Sequence, residues 1–232
     1  MKLPSIDTLV LIPAHNEVQH IARVVLGAST YLPVLVVDDG SQDETAVLAA
    51  QSGAIVVSQK PNQGKGTALK AGFRYAIDHG YKNILTLDGD GQHDPREIPK
   101  FLEVSAAKNP DLIIGERDFG QMPIVRRCSN AIGRFLLSWA LGQPIRDNQS
   151  GYRLVSSRLA EVTLTSQESG FEFEVEMVVD CVNKGFKLAW VPIRTIYAGE
   201  KSHISYLSHA KNYLWHVWHI RRERIKALKT TR

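Results

Sequence analysis

Short runs rich in β-branched residues alternate with longer amphipathic stretches through the first half of the chain, and this alternation constrains the fold more than any other feature. Thr8-Leu9-Val10-Leu11-Ile12, Val34-Leu35-Val36-Val37, Ala54-Ile55-Val56-Val57, Asn83-Ile84-Leu85-Thr86-Leu87 and Leu112-Ile113-Ile114 are near-continuous apolar runs of the buried-strand kind. Between them the spacing predicts helices over about 17–28, from a Ser41–Glu44 capping box to about 51, over 66–79, and from Asp94-Pro95 onward, with proline at the first helical position. Strands alternating with helices of this length imply βαβ units, hence an α/β fold with a mostly parallel sheet flanked by helices. The second half is less regular. It predicts a helix over 124–141, a polar loop over 147–153, a helix over 172–183, a strand near 188–191 and an amphipathic helix over about 205–228.

Composition removes several function classes. The chain has 232 residues, 44% apolar and 22% charged, which suits one globular domain rather than a disordered or coiled-coil protein. Two cysteines and an N-terminus without an apolar leader point to a reducing, cytoplasmic setting. The longest uncharged run, 24–37, holds 14 residues including Pro33, too few for a spanning helix, which needs about 20. Net charge is +4, but residues 221–232 carry six basic residues and one acidic one, and the other 220 residues carry 22 basic and 23 acidic. The basicity belongs to the tail, and the body has no basic run of the kind that nucleic-acid binding needs. H-E-x-x-H, paired C-x-x-C and G-x-S-x-G patterns are absent, which removes zinc proteases, zinc fingers and serine hydrolases.

Ligands of open α/β sheets bind outside the carboxyl ends of the strands, and the acidic clusters lie there. Leu87-Asp88-Gly89-Asp90-Gly91-Gln92 sets two carboxylates one residue apart after a buried strand. Hard divalent cations favour such oxygen donors, though a capped loop would read the same way. Asp38-Asp39-Gly40-Ser41 is either a ribose- or base-binding strand end or a simple turn. Pro61-Asn62-Gln63-Gly64-Lys65-Gly66-Thr67 fails the P-loop pattern, because Gly66 follows the lysine. Its helix start can still offer N–H groups to a diphosphate, and Lys65 either meets the donor or is solvated. Glu172, Glu174 and Glu176 read by default as solvated, and His93 as a loop histidine. In the C-terminal helix Leu207, Ala210, Leu214, Val217, Trp218, Ile225 and Leu228 form one stripe. It either packs on the sheet or lies on a membrane surface with its arginines and lysines on anionic lipid.

Five segments in order, Ile12-Pro13-Ala14-His15-Asn16-Glu17, Val37-Asp38-Asp39-Gly40-Ser41, Asn62-Gln63-Gly64-Lys65-Gly66, Asp88-Gly89-Asp90-Gly91-Gln92 and Ser150-Gly151-Tyr152-Arg153, resemble family 2 glycosyltransferases. Within that family they are most similar to the dolichol-phosphate or polyprenyl-phosphate mannosyltransferase group, over about residues 7–204. The resemblance implies a GT-A fold over 1–204, followed by the basic helix of 205–232. It also implies an inverting transfer from a GDP- or UDP-hexose. It assigns Pro13, His15, Glu17, Val37, Asp39, Asp88, Gly89 and Lys65 to the nucleotide-sugar, and Asp88, Asp90 and Gln92 to Mg²⁺ or Mn²⁺. His15 stands where the family often has tyrosine. Tyr197-Ala198-Gly199-Glu200-Lys201-Ser202 lacks an arginine common near the family's end, leaving Lys201 or His203 as its substitute.

The implied reaction takes a hexose, mannose or glucose, to polyprenyl phosphate. A phosphate monoester is largely dianionic at neutral pH and needs positive clamps more than a base. Arg117, Arg126, Arg127, Arg134 and Lys201 are the candidates, with Asp90, Arg117 and Asp147 as catalytic residues. A sugar-hydroxyl acceptor would instead need a carboxylate base, for which Asp147 and Glu174 are the candidates. A non-catalytic nucleotide- or lipid-binding module is the remaining alternative. A lipid acceptor further implies peripheral attachment at the inner membrane face through the C-terminal helix.

Overall fold

A computed structural model describes residues 7–121, 124–170, 172–194, 196, 217–222 and 224. Seven strands form one sheet: β1 (Thr8–Ala14), β2 (Val34–Asp39), β3 (Ile55–Gln59), β4 (Asn83–Thr86), β5 (Leu112–Arg117), β6 (Arg153–Ser156) and β7 (Leu188–Ile193). Their order is β3-β2-β1-β4-β6-β5-β7. All neighbouring pairs are parallel except those of β6, which runs antiparallel to β4 and β5. Among the described residues the sheet is flanked by α1 (Ile21–Ser29), α2 (Thr45–Gln51), α3 (Lys65–Asp78), α4 (Ile98–Lys108), α5 (Ile124–Leu141), α6 (Ser157–Thr163) and α7 (Glu172–Asn183).

Side chains alternate across a strand, so each central strand feeds two cores. Leu9 and Leu11 of β1 join Phe73, Phe173 and Met177 on one face, while Val10 and Ile12 join Val25, Phe101 and Tyr152 on the other. Every residue of β1 and β2 is buried, which is why these strands read as continuous apolar runs.

Three local expectations fail. Helix α1 begins at Ile21 rather than 17, because residues 17–20 form a turn whose N–H groups serve the neighbouring loop. Glu17 N donates to Thr45 Oγ1 (2.8 Å) and Val18 N to Asp43 (3.3 Å). The Ser41 capping box does not form. Helix α2 starts at Thr45 with no side-chain cap from Glu44; Ser41 Oγ instead accepts the Asn16 N–H (2.9 Å), and Asp43 accepts that of Thr45 (3.0 Å). The stretch read as a loop through Arg153 turns directly into β6 and then α6, which Ser156 caps through the Leu159 N–H. A strand of four residues with a charged first residue gives no visible period of two. Of the expected 205–228 helix, residues 217–222 and 224 are described, and all are helical. The rest lies outside the described residues, as do Lys201 and His203.

Candidate active site

Because the parallel strands all end at one rim, the residues after β1, β2 and β4 meet there. The antiparallel β6 begins where its neighbours end, so the loop 147–153 leading into it reaches the same rim. Pro13 lies opposite Val37 in the β1–β2 register. His15 is exposed, and its Nδ1–H donates to the Asp39 carbonyl (2.9 Å). The Glu17 side chain lies against Gly89, where an added Cβ would come 3.3 Å from Glu17 Cγ.

Two expectations about the glycine loop need correction. Its amides are spent within the protein: Gln63 N and Gly64 N donate to the two Asp39 carboxylate oxygens (2.8 Å each). Gly66 N and Thr67 N donate to the Ser169 carbonyl (2.7 and 3.3 Å). The start of α3 therefore does not present these N–H groups to a diphosphate. Gly64 has φ +94°, and a Cβ there would lie 2.7 Å from Ser169 O, so glycine is required by both backbone and contact. Lys65, for its part, is not solvated. Its Nζ lies 2.6 Å from Asp88 Oδ1 and 3.1 Å from Glu174 Oε2.

Asp88 is the centre of the arrangement. Burial alone would raise its carboxyl, but the Lys65 ammonium, with a smaller pull from Arg117, holds it down at about 2. It is therefore ionised throughout the physiological range. His93 is buried, and its Nδ1 accepts the Asp88 backbone N–H (3.2 Å). Burial lowers the His93 value, keeping the ring neutral and able to accept. On the other side Gly151 lets the carboxylate approach, since a Cβ there would sit 2.6 Å from Asp88 Oδ2. Asp90 Oδ1 accepts the Gln92 N–H (2.9 Å).

The phosphate-clamp and base candidates turn out to be partners. Arg117 holds Asp147 in a two-pronged pair, Nε to Oδ2 at 2.7 Å and Nη2 to Oδ1 at 2.9 Å. Asp147 is 1% exposed, so the pair is buried on its acidic side. Arg134 continues this line: its guanidinium lies 4.9 Å from the Phe119 ring centroid, with Arg117 at 5.9 Å from the same ring. Arg127 is exposed on α5, seven residues before Arg134, while the Arg126 side chain lies outside the described residues. Arg153 is not a ligand-facing group. It is fully buried and donates to the carbonyls of Ser150, Asn148 and Glu174, locking the loop onto α7.

Glu174, a base candidate for a hydroxyl acceptor but read by default as solvated, is buried at 6% exposure. A signal existed: Glu174, Met177, Val178 and Cys181 share the spacing of one buried helix face. His93 and Phe119 carried no such signal.

Among the described residues no three His, Cys, Asp or Glu side chains gather as a closed metal cage. Asp88 and Asp90, with Gln92, fit a different kind of ion, one that keeps waters and takes its other oxygens from substrate phosphates, as Mg²⁺ does.

A mostly parallel sheet whose rim carries this D-x-D loop is the arrangement that the resemblance to GT-A glycosyltransferases implies. Residues 9–162 match the family described as Glycosyl transferase family 2, and the chain belongs to that family. Relatives include the undecaprenyl-phosphate mannosyltransferase of Micrococcus luteus, 32% identical over 80% of this chain and 82% of that one. The polyprenol monophosphomannose synthase of Mycolicibacterium smegmatis is 31% identical, over 82% and 77% of the two chains. These bear out the resemblance to the polyprenyl-phosphate sugar transferase group. Among solved structures, glucosyl-3-phosphoglycerate synthase from Mycobacterium tuberculosis superposes with a TM-score of 0.72 at 23% identity, covering 92% of this chain and 80% of that one. That likeness supports the fold.

Proposed function

We propose that this chain transfers a hexose from a nucleotide diphosphate sugar to polyprenyl phosphate with inversion. The carrying observation is that both candidate bases are committed to cations. Asp147 gives both oxygens to Arg117, and Glu174 meets Lys65. A sugar hydroxyl needs a base to take its proton; a phosphate dianion needs none. Its oxygen forms the bond to the anomeric carbon while the bond from that carbon to the diphosphate oxygen breaks, and the nucleotide diphosphate leaves with the electron pair. Arg117, kept in place by Asp147, together with Arg134 and the exposed Arg127, supplies positive charge for the acceptor. His15 and Glu17 line the nucleotide end, with Pro13, Val37 and Asp39 buried behind them at the ends of β1 and β2.

Asp88, Asp90 and Gln92 would hold Mg²⁺ or Mn²⁺, which supplies neutralisation of the charge developing on the leaving diphosphate. The M. tuberculosis synthase, crystallised with Mn²⁺ and UDP at a TM-score of 0.73, supports this reading, as do the relatives named for lipid-phosphate acceptors.

The domain ends near 204 in this reading, and the tail serves attachment at the inner membrane face. Ile132, Phe135 and Trp139 are 50–71% exposed at helical spacing on α5. Helical residues 217–222 set Arg221 over the Trp139 ring and Arg222 over Trp218. Aromatic and aliphatic groups rimmed by arginines suit an anionic lipid surface. No helix among the described residues is long and apolar enough to cross a membrane.

The test incubates radiolabelled GDP- and UDP-hexoses with polyprenyl phosphate and Mn²⁺ and follows label into the organic phase. The expected result is acid-labile lipid-phosphate label that chelation abolishes. Label found solely on a free sugar hydroxyl would overturn the acceptor assignment and favour a glycan-directed transferase.

A further inference from the structure

Lys65 is the residue whose placement the reaction above leaves unexplained. It opens α3, yet its ammonium turns into the protein and lies between two carboxylates, 2.6 Å from Asp88 and 3.1 Å from Glu174. Asp88 is a metal-ligand candidate and is about a quarter exposed, whereas Glu174 sits on the buried face of α7 at 8% side-chain exposure. Two cations on one carboxylate repel strongly at such distances in a partly desolvated site. A divalent ion on Asp88 and the Lys65 ammonium therefore compete for the same oxygen. Glu174 gives the ammonium somewhere to go without leaving the site. A diphosphate at the rim gives it a second such place, because a lysine on a flexible stem follows the nearest anion.

We infer that Lys65 couples metal and nucleotide binding. It neutralises Asp88 until a donor diphosphate draws the ammonium away, and Asp88 then becomes available to the divalent ion. The inference rests on the metal reading above. It makes metal and nucleotide binding mutually reinforcing, and by linkage each must strengthen the other by the same factor, which for such couplings is roughly 5–150-fold. Glu174 is a positioning residue here, since it acts through Lys65.

Mn²⁺ binding to the full chain, read from the electron paramagnetic resonance of free Mn²⁺, tests this without any turnover. UDP and GDP serve as the nucleotide probes. In the wild type, nucleotide tightens Mn²⁺ binding at least about 5-fold. Lys65→Met binds Mn²⁺ alone more tightly than the wild type and loses most of the nucleotide enhancement. Glu174→Gln acts in the opposite sense, because the ammonium is left with Asp88, and Mn²⁺ alone binds more weakly. If Lys65→Met does not fold with Glu174 unpaired, the charge-balanced Lys65→Met/Glu174→Gln variant replaces it and must show the same tightened binding. A cooperative wild type with Lys65→Met unchanged, or weaker for Mn²⁺ alone, overturns the role of Lys65 and leaves the metal site standing. A wild type that takes no Mn²⁺ with either nucleotide overturns the metal reading and this inference with it.

Discussion

Asp88 and Asp111 stand at opposite rims of the same sheet, one after the carboxyl end of β4 and one before the amino end of β5, each facing a cation. At the amino end of β5, Asp111 is 1% exposed. It accepts from Ser156 Oγ (3.0 Å), Lys187 N (2.9 Å) and the Arg158 guanidinium (Nη2, 2.7 Å). Burial would raise its value, but Arg158, the Lys187 amide and Ser156 together hold it below the usual carboxylate range. These donors join β6, β7 and α6 and leave little room for anything else. At the other end Asp88 faces the Lys65 ammonium, which it shares with Glu174, rests against a glycine and stays about a quarter exposed. A carboxylate saturated by the chain's own fixed donors is a clamp. One balanced by a movable monovalent cation keeps the capacity to bind.

The largest expected effect separates these two ends directly. Asp90→Ala, on the loop of Asp88, should lower transfer by about 10²–10³-fold, the scale for losing one charge-stabilising group, with the melting temperature little changed. Asp111→Ala should do the reverse. Losing charge-assisted bonds to a buried carboxylate costs roughly 1.5–3 kcal/mol each, so thermal unfolding should move down clearly while kcat per folded molecule holds. A folded, inactive Asp111→Ala or a fully active Asp90→Ala would erase the distinction.

The Arg117–Asp147 pair is intermediate, because it is both buried and at the functional rim. Removing either partner leaves a buried charge uncompensated, at a cost of about 3–5 kcal/mol. The two single alanine variants and the double should therefore be strongly non-additive, with a coupling of about 0.5–3 kcal/mol in denaturant unfolding. Transfer should fall to a similar extent in both singles, since each residue holds the other. Additive losses would mean that the two act separately, as the sequence alone suggests.

The contrast also marks what was legible in the sequence. The strands β1 to β5 and the helices α3, α5 and α7 could be read because burial on two faces, or on one stripe, leaves a periodic trace. The acidic loops could be placed because strand ends in a parallel sheet share a rim. What could not be read is which charges pair across the fold. Lys65 meets Glu174 over 109 positions and Arg117 meets Asp147 over 30, and no local pattern encodes either. Strand β6 escaped for a related reason, since its pairing with β4 and β5 is fixed by neighbours distant in sequence rather than by its own four residues.

The smallest effect concerns a third carboxylate, on the helix that carries Glu174. Among the described residues Asp180 has no fixed donor of the Asp111 kind, and it lies one turn from Glu176. Burial first, and then that like charge, raise it to about 6 against the weaker pull of Lys184. An unfolded aspartate titrates near 3.9, so the folded protein keeps this proton to higher pH than the unfolded chain does. Its contribution to stability is then complete below about pH 4 and is lost as pH rises through about 6. Asp180→Asn cannot ionise and should escape that loss. Its melting temperature should match the wild type near pH 4 and exceed it above pH 7, by no more than about 4 °C once solvent screening of a half-buried group is allowed for. Asp111→Asn should show the opposite trend, with its deficit greatest at neutral pH and shrinking as acid protonates the wild-type carboxylate. Parallel pH profiles for the two variants would show that burial alone sets their titration, and that the fixed donors around Asp111 add nothing.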